Sequence, residues 1–180
     1  MSLTNIRRKD RAITDDAWIT DFLREEAVIT LGFCQDDQPF LFPTLYAFDE
    51  ARRVVYIHAT NQGRTAALAR NHPKASATVF RMGRLLPAKR ALNFSVEYAS
   101  VMLFGRASLV EGEEAARALQ MIMDKYAPHL QPDADYLPAQ PEDLKITAVI
   151  RLDIETWIGK QKQVAEDFPG AFHYGAQSAT

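Results

Sequence analysis

The sequence has 180 residues, 47% of them hydrophobic and 24% charged, with a formal net charge of −2. This is the composition of one ordinary globular domain spanning 1–180, which can bury a core without disulfides or bound metals. The nearly balanced charge excludes the strong basic field that attracts nucleic acid.

A single cysteine, Cys34, leaves no partner for an internal disulfide and favours a reducing compartment. No apolar run reaches the roughly 18 residues that a membrane span requires. The charged N-terminal segment also lacks the apolar stretch of a secretory signal, so we expect a cytoplasmic protein with no membrane partner.

The chain begins with a basic segment at 6–11, IRRKDR, and we interpret 1–13 as a solvated N-terminal arm. Thr14 is predicted to cap an amphipathic helix that ends near Glu26, because apolar residues recur in it at helical spacing.

The next segments predict strands. Residues 27–34 and 39–48 flank a polar turn and form a predicted hairpin. Pro43 lies inside the second of these strands and removes a backbone donor, which favours a sheet edge or a bulge. Further strands are predicted at 53–59 and 74–81.

The second half contains the longest strands. Residues 92–110 predict a strand pair or one long bent strand, in which 101–104 are apolar on both faces. A strand of this kind is covered on both sides, and a second subunit is one candidate for the cover. Gly105 permits a bend or bulge. A helix is predicted at 113–126, and 145–160 alternates cleanly as the closing strand.

Two segments have no regular pattern. The basic stretch 81–90 is either a solvated loop or a flap over an anionic ligand. The C-terminal tail, 161–180, is irregular. Six to seven strands joined mostly by hairpins, with a few flanking helices, predict a mainly β (α+β) fold built on an antiparallel β-barrel.

Gly63, Arg64 and Thr65 open a short helix after the third strand. Free backbone N–H groups, a hydroxyl and a guanidinium then lie together, which suits an anion such as phosphate. An ordinary turn is the alternative interpretation. The strand residues 42–46 and 56–60 fall on neighbouring hairpin segments and could line one groove that ends at this helix.

Short segments in one order along the chain match a known family: 7–11, 43–46, 56–59 followed by Gly63 and Arg64, 71–73, 98–101 followed by Gly105, and 158–160. Because of these matching segments, the chain resembles the flavin-binding split-barrel superfamily that includes pyridoxamine 5′-phosphate oxidase. Within that superfamily it is most similar to the nitroimidazole-resistance (Nim-type) proteins.

The resemblance implies a six- to seven-stranded split barrel that forms a homodimer, with two flavin mononucleotide (FMN) sites at the subunit interface. The residues implied at the flavin ring and its chain are Phe42, Pro43, Thr44, Leu45, His58, Ala59 and Thr60. The residues implied at the phosphate are Gly63 and Arg64, beside Thr65. Those implied to come from the partner are Ser100 and Val101, with Lys160 in the last matching segment.

The chain also departs from the family pattern. Ala99 stands where the family usually has arginine, and no arginine follows Lys162, whereas the oxidases proper end in a basic C-terminal segment. Vitamin B6 oxidase activity is therefore not expected. Trp157 interrupts the alternation of the closing strand. Its indole either contacts the flavin by stacking or through its N–H, or lies half-exposed on the surface.

His58 is either a hydrogen-bonded structural residue or a catalytic proton donor at the flavin edge. The first functional hypothesis is a flavin-dependent oxidoreductase that reduces a small electron-poor compound, such as a nitro-aromatic, with electrons from a nicotinamide donor. The alternatives are a non-enzymatic haem- or flavin-binding module, with His58, His72 or His173 as an axial ligand, and a deazaflavin-dependent reductase. No zinc spacing, nucleophile elbow or P-loop is found in the sequence, so no metal is predicted.

Overall fold

A computed structural model describes residues 3–175. Eight strands form one antiparallel sheet: β1 (Ala12–Ile13), β2 (Ile29–Gln35), β3 (Gln38–Thr44), β4 (Ala47–Asp49), β5 (Val54–Thr60), β6 (Lys74–Leu86), β7 (Ser95–Val110) and β8 (Thr147–Lys162). The helices are α1 (Asp16–Glu25), α2 (Arg64–Asn71), α3 (Gly112–Tyr126) and α4 (Pro141–Ile146). The predicted mainly β fold with flanking helices is confirmed.

The strand order is β3-β2-β6-β7-β8-β5-β4, with β1 paired to β8. Side chains from both ends of this order, such as Leu31 of β2 and Ile57 of β5, belong to one buried core together with Leu103. The sheet is therefore rolled around a single interior. Its two edge strands, β3 and β4, are joined through Leu45 and Tyr46, and the barrel is split between them.

The β2–β3 hairpin turns through Asp36 and Asp37, whose φ angles of 51° and 60° match the two-residue turn that suits twisted strands. The predicted single strand at 39–48 is wrong, because the chain bends after Thr44 and continues as β4 at the opposite edge of the sheet. Tyr46 fixes this bend, since its side chain is fully buried and its hydroxyl donates to the Leu23 carbonyl at 2.7 Å. Pro43 lies on edge strand β3, as predicted.

Two assignments near the N-terminus are corrected. Asp15, rather than Thr14, caps α1, because its carboxylate accepts the Ala17 N–H at 2.9 Å. The predicted arm is only partly free, because β1 pairs Ala12 with Lys160 along β8. Within residues 3–175, no helix is long and apolar enough to cross a membrane.

The basic stretch 81–90 is not a loop throughout, because β6 runs on to Leu86 and pairs with β7. Arg84 donates to the carboxylate of Glu97 from Nε and Nη2, both at 2.8 Å, and to the Glu166 carbonyl at 2.6 Å. Glu97 is consequently 8% exposed, whereas Leu92 beyond the strand is 88% exposed. The alternation at the start of β7 therefore places the carboxylate inside, and Arg84 is already used by the fold.

The Arg84–Glu97 ion pair should make the free energy of unfolding depend on pH. Hydrogen bonds from Arg84 and from the Val164 N–H hold the pKa of Glu97 at about 2, below its ordinary 4.5. A lowered carboxyl pKa stabilises the fold above pH 4.5, and this contribution disappears as pH falls from 4.5 towards 2. Glu97→Gln should unfold at a lower temperature than wild type at pH 7, with the difference shrinking below pH 4.5. Thermal unfolding from pH 2.5 to 7 measures this, with exposed Glu113→Gln as control; a gap that does not change with pH would contradict it.

The long strands meet at a bulge. The β7–β8 register shifts between Phe104 and Gly105, which confirms the irregularity predicted there. A Cβ at position 105 would lie 1.8 Å from the Asp153 carbonyl oxygen, so only glycine fits. The closing strand β8 starts at Thr147 rather than at Lys145, because the chain forms α4 up to Ile146.

Candidate functional site

The split in the barrel has two strand edges. Strand β4 pairs only with Val54–Tyr56 of β5, so the described sheet places no strand beside the β4-facing edge of β5 from Ile57 to Thr60. Strand β3 forms the other edge. Of the residues implied by sequence at the flavin, 42–44 and 58–60 therefore lie on the two edges of the split.

The turn after β5 presents a helix start to the groove between these two edges. The Gly63 N–H donates to the Thr60 carbonyl at 2.9 Å, and Gly63 then caps α2 in an extended conformation, φ −79° and ψ 160°. The first-turn N–H groups of any α-helix lack intrahelical acceptors, and this first turn carries no acidic side chain. Arg64 and Thr65 are its first two residues, so the geometry suits an anion.

Arg64 faces an aromatic side chain on the opposite edge of the split. Its guanidinium carbon lies 4.9 Å from the centre of the Phe40 ring. Phe40 and Phe42 share the inner face of β3, and Phe42 packs edge-to-face on Phe33 with ring centres 6.4 Å apart. Phe40 was not predicted as a site residue, although its two-residue spacing from Phe42 is a signal that places both on one face.

A second arginine braces the same turn. Arg70, in the last turn of α2, donates to the Asn61 backbone carbonyl at 3.3 Å and also bonds its side-chain oxygen. The Asn61 N–H in turn donates to the Ile146 carbonyl at 2.9 Å. Sequence reasoning missed this brace, because nothing in the local pattern of α2 shows that its C-terminal arginine returns to the preceding turn.

His58 and Ala59 face opposite sides of β5. Ala59 packs against the core of the barrel, with Ile57, whereas His58 is exposed on the outer face. His58 pairs in register with Val149 of β8. Its ring is therefore directed away from the barrel interior, and Thr60, which pairs with Thr147, shares its face.

The outer face of β5 is anchored to α3 by a polar cluster of Asp49, Tyr56, Glu114 and Arg117. The Tyr56 hydroxyl donates to Glu114 at 2.7 Å, and Arg117 donates to Asp49 at 2.8 Å. Burial raises the pKa of Asp49, but hydrogen bonds from Arg117 and the Arg52 N–H outweigh it, so that pKa is lowered. The carboxylates stay ionised at neutral pH and hold β5 in place two residues before His58.

Ser100, Val101 and Lys160 lie on neither edge of the split in the same chain, because Val101 shares a row with Thr44 but lies three strands away from it. Ser100 pairs with Lys160 on β8, while His58 pairs with Val149 on the same strand. The eleven residue steps from Val149 to Lys160 correspond to about 36 Å along β8 at 3.3 Å per residue. Val101 is fully buried, so its side chain belongs to its own core. One chain therefore does not bring the two groups of predicted residues together.

An exposed apolar strip runs across the outside of the sheet from Pro43 to Met102, the neighbour of Val101. In-register pairing puts Pro43, Thr30, Thr78 and Met102 in one row, and residues two positions away share its face. We call this strip the outer patch; its large members are Leu41, Pro43, Phe80, Met82 and Met102. Leu41 is 71% and Phe80 56% exposed. Contiguous exposed apolar surface of this kind marks an interaction site.

Two predicted contacts lie elsewhere. Trp157 donates its indole N–H to Asp16 at 2.8 Å, and the Arg53 guanidinium stacks 3.8 Å from its ring centre. Leu45 is exposed after β3, and the Thr44 hydroxyl donates to the Leu45 carbonyl at 3.3 Å. Among residues 3–175, no group of three or more His, Cys, Asp or Glu side chains is placed to hold a metal ion.

Comparisons with known proteins identify a family for this chain. A family model described as pyridoxamine 5′-phosphate oxidase matches residues 15–161. A UPF0306 protein of Pasteurella multocida strain Pm70 is 25% identical over 113 residues, which are 62% of this chain and 69% of the relative.

Solved structures share the fold. The flavocytochrome Anf3 of Azotobacter vinelandii has a TM-score of 0.77 and 24% identity, over 100% of this chain and 88% of its own. The FAD and heme binding protein of Mycobacterium smegmatis also has a TM-score of 0.77. It is 19% identical, and the match covers 86% of this chain and 74% of its own. A candidate 5-nitroimidazole antibiotic resistance protein of Bacteroides thetaiotaomicron has a TM-score of 0.68. It is 18% identical, and the match covers 83% of this chain and 86% of its own.

Proposed function

Because the chain belongs to the pyridoxamine 5′-phosphate oxidase family, whose model covers residues 15–161, we propose that it is a flavoprotein that binds the FMN moiety in the split of the barrel. The observation that carries this proposal is the start of α2, where Arg64 and free N–H groups face the groove opposite Phe40. Two of the solved structures above are named as a flavocytochrome and as a FAD and heme binding protein. Gly63, Arg64 and Thr65 bind the phosphate, and Phe40 and Phe42 lie beside the ring system.

The second half of the site comes from a partner in a homodimer. Lys160 lies about 36 Å along β8 from the level of His58, and Val101 lies three strands across the sheet from Thr44, so this group does not line the groove of its own chain. The outer patch reaches from Pro43 to Met102 beside Val101, and burying it against a second copy removes its apolar surface from water. A twofold axis through that patch brings Ser100 and Lys160 of one protomer to the groove of the other.

The activity we propose is reduction of a small electron-poor substrate, such as a nitro-aromatic compound. Held by Gly63, Arg64 and Thr65 at its phosphate, a flavin would supply the transfer of two electrons, as a hydride, from a reduced nicotinamide to the substrate. With one further proton, a nitro group then becomes a nitroso group and releases one oxygen as water. This chain's residues bind and orient the flavin, and exposed His58 is the proposed proton donor at the outer face of β5.

The decisive test is the absorbance spectrum of the protein as purified and after titration with FMN. We expect a yellow protein with flavin bands and one flavin per chain, and oxidation of the bound flavin by a nitro-aromatic after reduction with NADH. A parallel titration with a deazaflavin compares its affinity with that of FMN and so tests the deazaflavin-dependent alternative. A colourless protein that takes up no flavin would overturn the proposal.

A haem-binding role is a second candidate, because the names of two solved structures include haem or flavocytochrome. A cavity of about 370 Å³ at the C-terminal tail is lined by Met82 and His173, two side chains that can bind haem iron, and by Lys162. Haem titration should then give a Soret band that His173→Ala abolishes and His72→Ala leaves intact. Flavin uptake without a Soret band would reject this candidate.

A further inference from the structure

A cavity of about 360 Å³ lies behind the turn that carries the proposed phosphate site, where the ends of β7 and β8 meet α3 and α4. This volume is within the range of small-molecule sites. Its polar and charged lining includes Asn61, Arg70, Glu111 and Lys145, and Leu144 of α4 also lines it. No residue assigned above to the flavin ring or its phosphate lines it.

The cavity begins one turn away from the phosphate site. The bond from the Gly63 N–H to the Thr60 carbonyl closes a tight turn, and Asn61 lies within that turn while lining the cavity. Arg70 holds Asn61 by two hydrogen bonds and lines the same cavity. The Arg70 guanidinium therefore lies between the start of α2 and the cavity. A second phosphate, joined to the one proposed at the start of α2, would lie at this position.

The lining chemistry suits a nucleoside joined to a phosphate. Leu109, Val110 and Leu144 line the cavity and are half-buried, so they supply apolar surface for a flat ring. Arg70 and Lys145 supply positive charge towards a phosphate, and Glu111 supplies a carboxylate that can accept hydrogen bonds from ribose hydroxyls. Positive charge at the turn, apolar surface and an acceptor thus occur in one cavity.

We propose that this cavity receives the adenosine half of a flavin dinucleotide, so that the protein selects flavin adenine dinucleotide (FAD) over FMN. The inference rests on the proposed flavin function and names which flavin fills the site. The shared FMN portion occupies the split of the barrel, the pyrophosphate passes the turn at Asn61 and Arg70, and the adenine packs on the apolar surface beneath α4.

Equilibrium titrations with FAD, FMN and ADP test this on the full chain. We expect FAD to bind at least about tenfold more tightly than FMN, since the added phosphate gains charge-assisted hydrogen bonds. Lys145→Ala should weaken FAD severalfold and leave FMN unchanged. Leu144 is the half-buried residue of α4, and Leu144→Trp fills the cavity with a larger side chain. This variant should bind FAD no more tightly than it binds FMN. Lys74→Ala, an exposed lysine at the start of β6, is the matched control.

The outcomes separate this inference from the proposed function. Equal affinities of wild type for FAD and FMN, both unchanged by Lys145→Ala, would overturn the inference and leave a flavoprotein. Binding of ADP that NADH displaces and FAD does not would assign the cavity to the nicotinamide donor and overturn the FAD assignment. Failure to bind either flavin would overturn the proposed function, and the inference with it.

Discussion

Arg64→Ala should weaken flavin binding by roughly 10- to 100-fold, the largest loss expected from any single side chain of the groove. An arginine–phosphate hydrogen bond contributes about 1.5–3 kcal/mol, and the free N–H groups of α2 remain in the variant. Because the Arg64 side chain is exposed and stacks only on Phe40, the fold itself should be preserved. Fluorescence titration with FMN and with FAD measures the loss.

Arg24→Ala is the matched control, since this arginine pairs with Asp21 and Glu50 on the exposed side of α1, away from the groove. It should bind flavin as wild type does. Arg64→Lys keeps the charge but not the two-pronged geometry and should fall between wild type and the alanine variant. An Arg64→Ala protein with unchanged affinity would show that the phosphate is not held at α2.

Met102→Arg should convert the protein to monomers and abolish flavin binding at micromolar concentrations. The side chain lies at the β7 end of the outer patch, 39% exposed in one chain, and a twofold contact over the patch would bury an arginine there in each protomer. Neither can be buried without a partner charge. Light scattering gives the mass, and flavin absorbance of the same fractions gives the occupancy.

Leu137→Arg is the control for surface charge, because Leu137 is an equally apolar residue, 79% exposed between α3 and α4. It should remain dimeric and yellow. Circular dichroism confirms that both variants are folded. A monomeric Met102→Arg protein that still binds one flavin per chain would show that the cofactor needs no partner, and the proposed shared site would then be wrong.

Local patterns predicted most of the strands, because a half-buried strand alternates and the polar turns between strands are explicit. Local patterns gave a wrong assignment where a residue distant in sequence determines whether a side chain is buried or where a strand ends. Glu97 is buried because Arg84 neutralises it, and the same ion pair extends β6 through a stretch that looks like a basic loop. The strand at 39–48 breaks because buried Tyr46 bonds α1, a contact that no local pattern contains.

The candidate site was predictable where it is contiguous in sequence. Gly63, Arg64 and Thr65 together indicate an anion site, and the structure places them at the start of α2. The contribution of Phe40 and the brace from Arg70 depend on how β3 and the end of α2 return to the turn. The separation of Ser100 from His58 follows only from strand register, which periodicity does not give.

The bulge at Gly105 has a consequence for both halves of the proposed site at once. It lies between the β8 positions that pair with His58 and with Ser100, and local twist increases at a bulge. That one irregularity therefore sets the angle between the two ends of the strand. A side chain at 105 would push against the Asp153 carbonyl and rotate one end relative to the other. In a symmetric pair, each groove would then meet its partner's surface out of alignment, and a flavin would be lost through a change that touches none of its atoms.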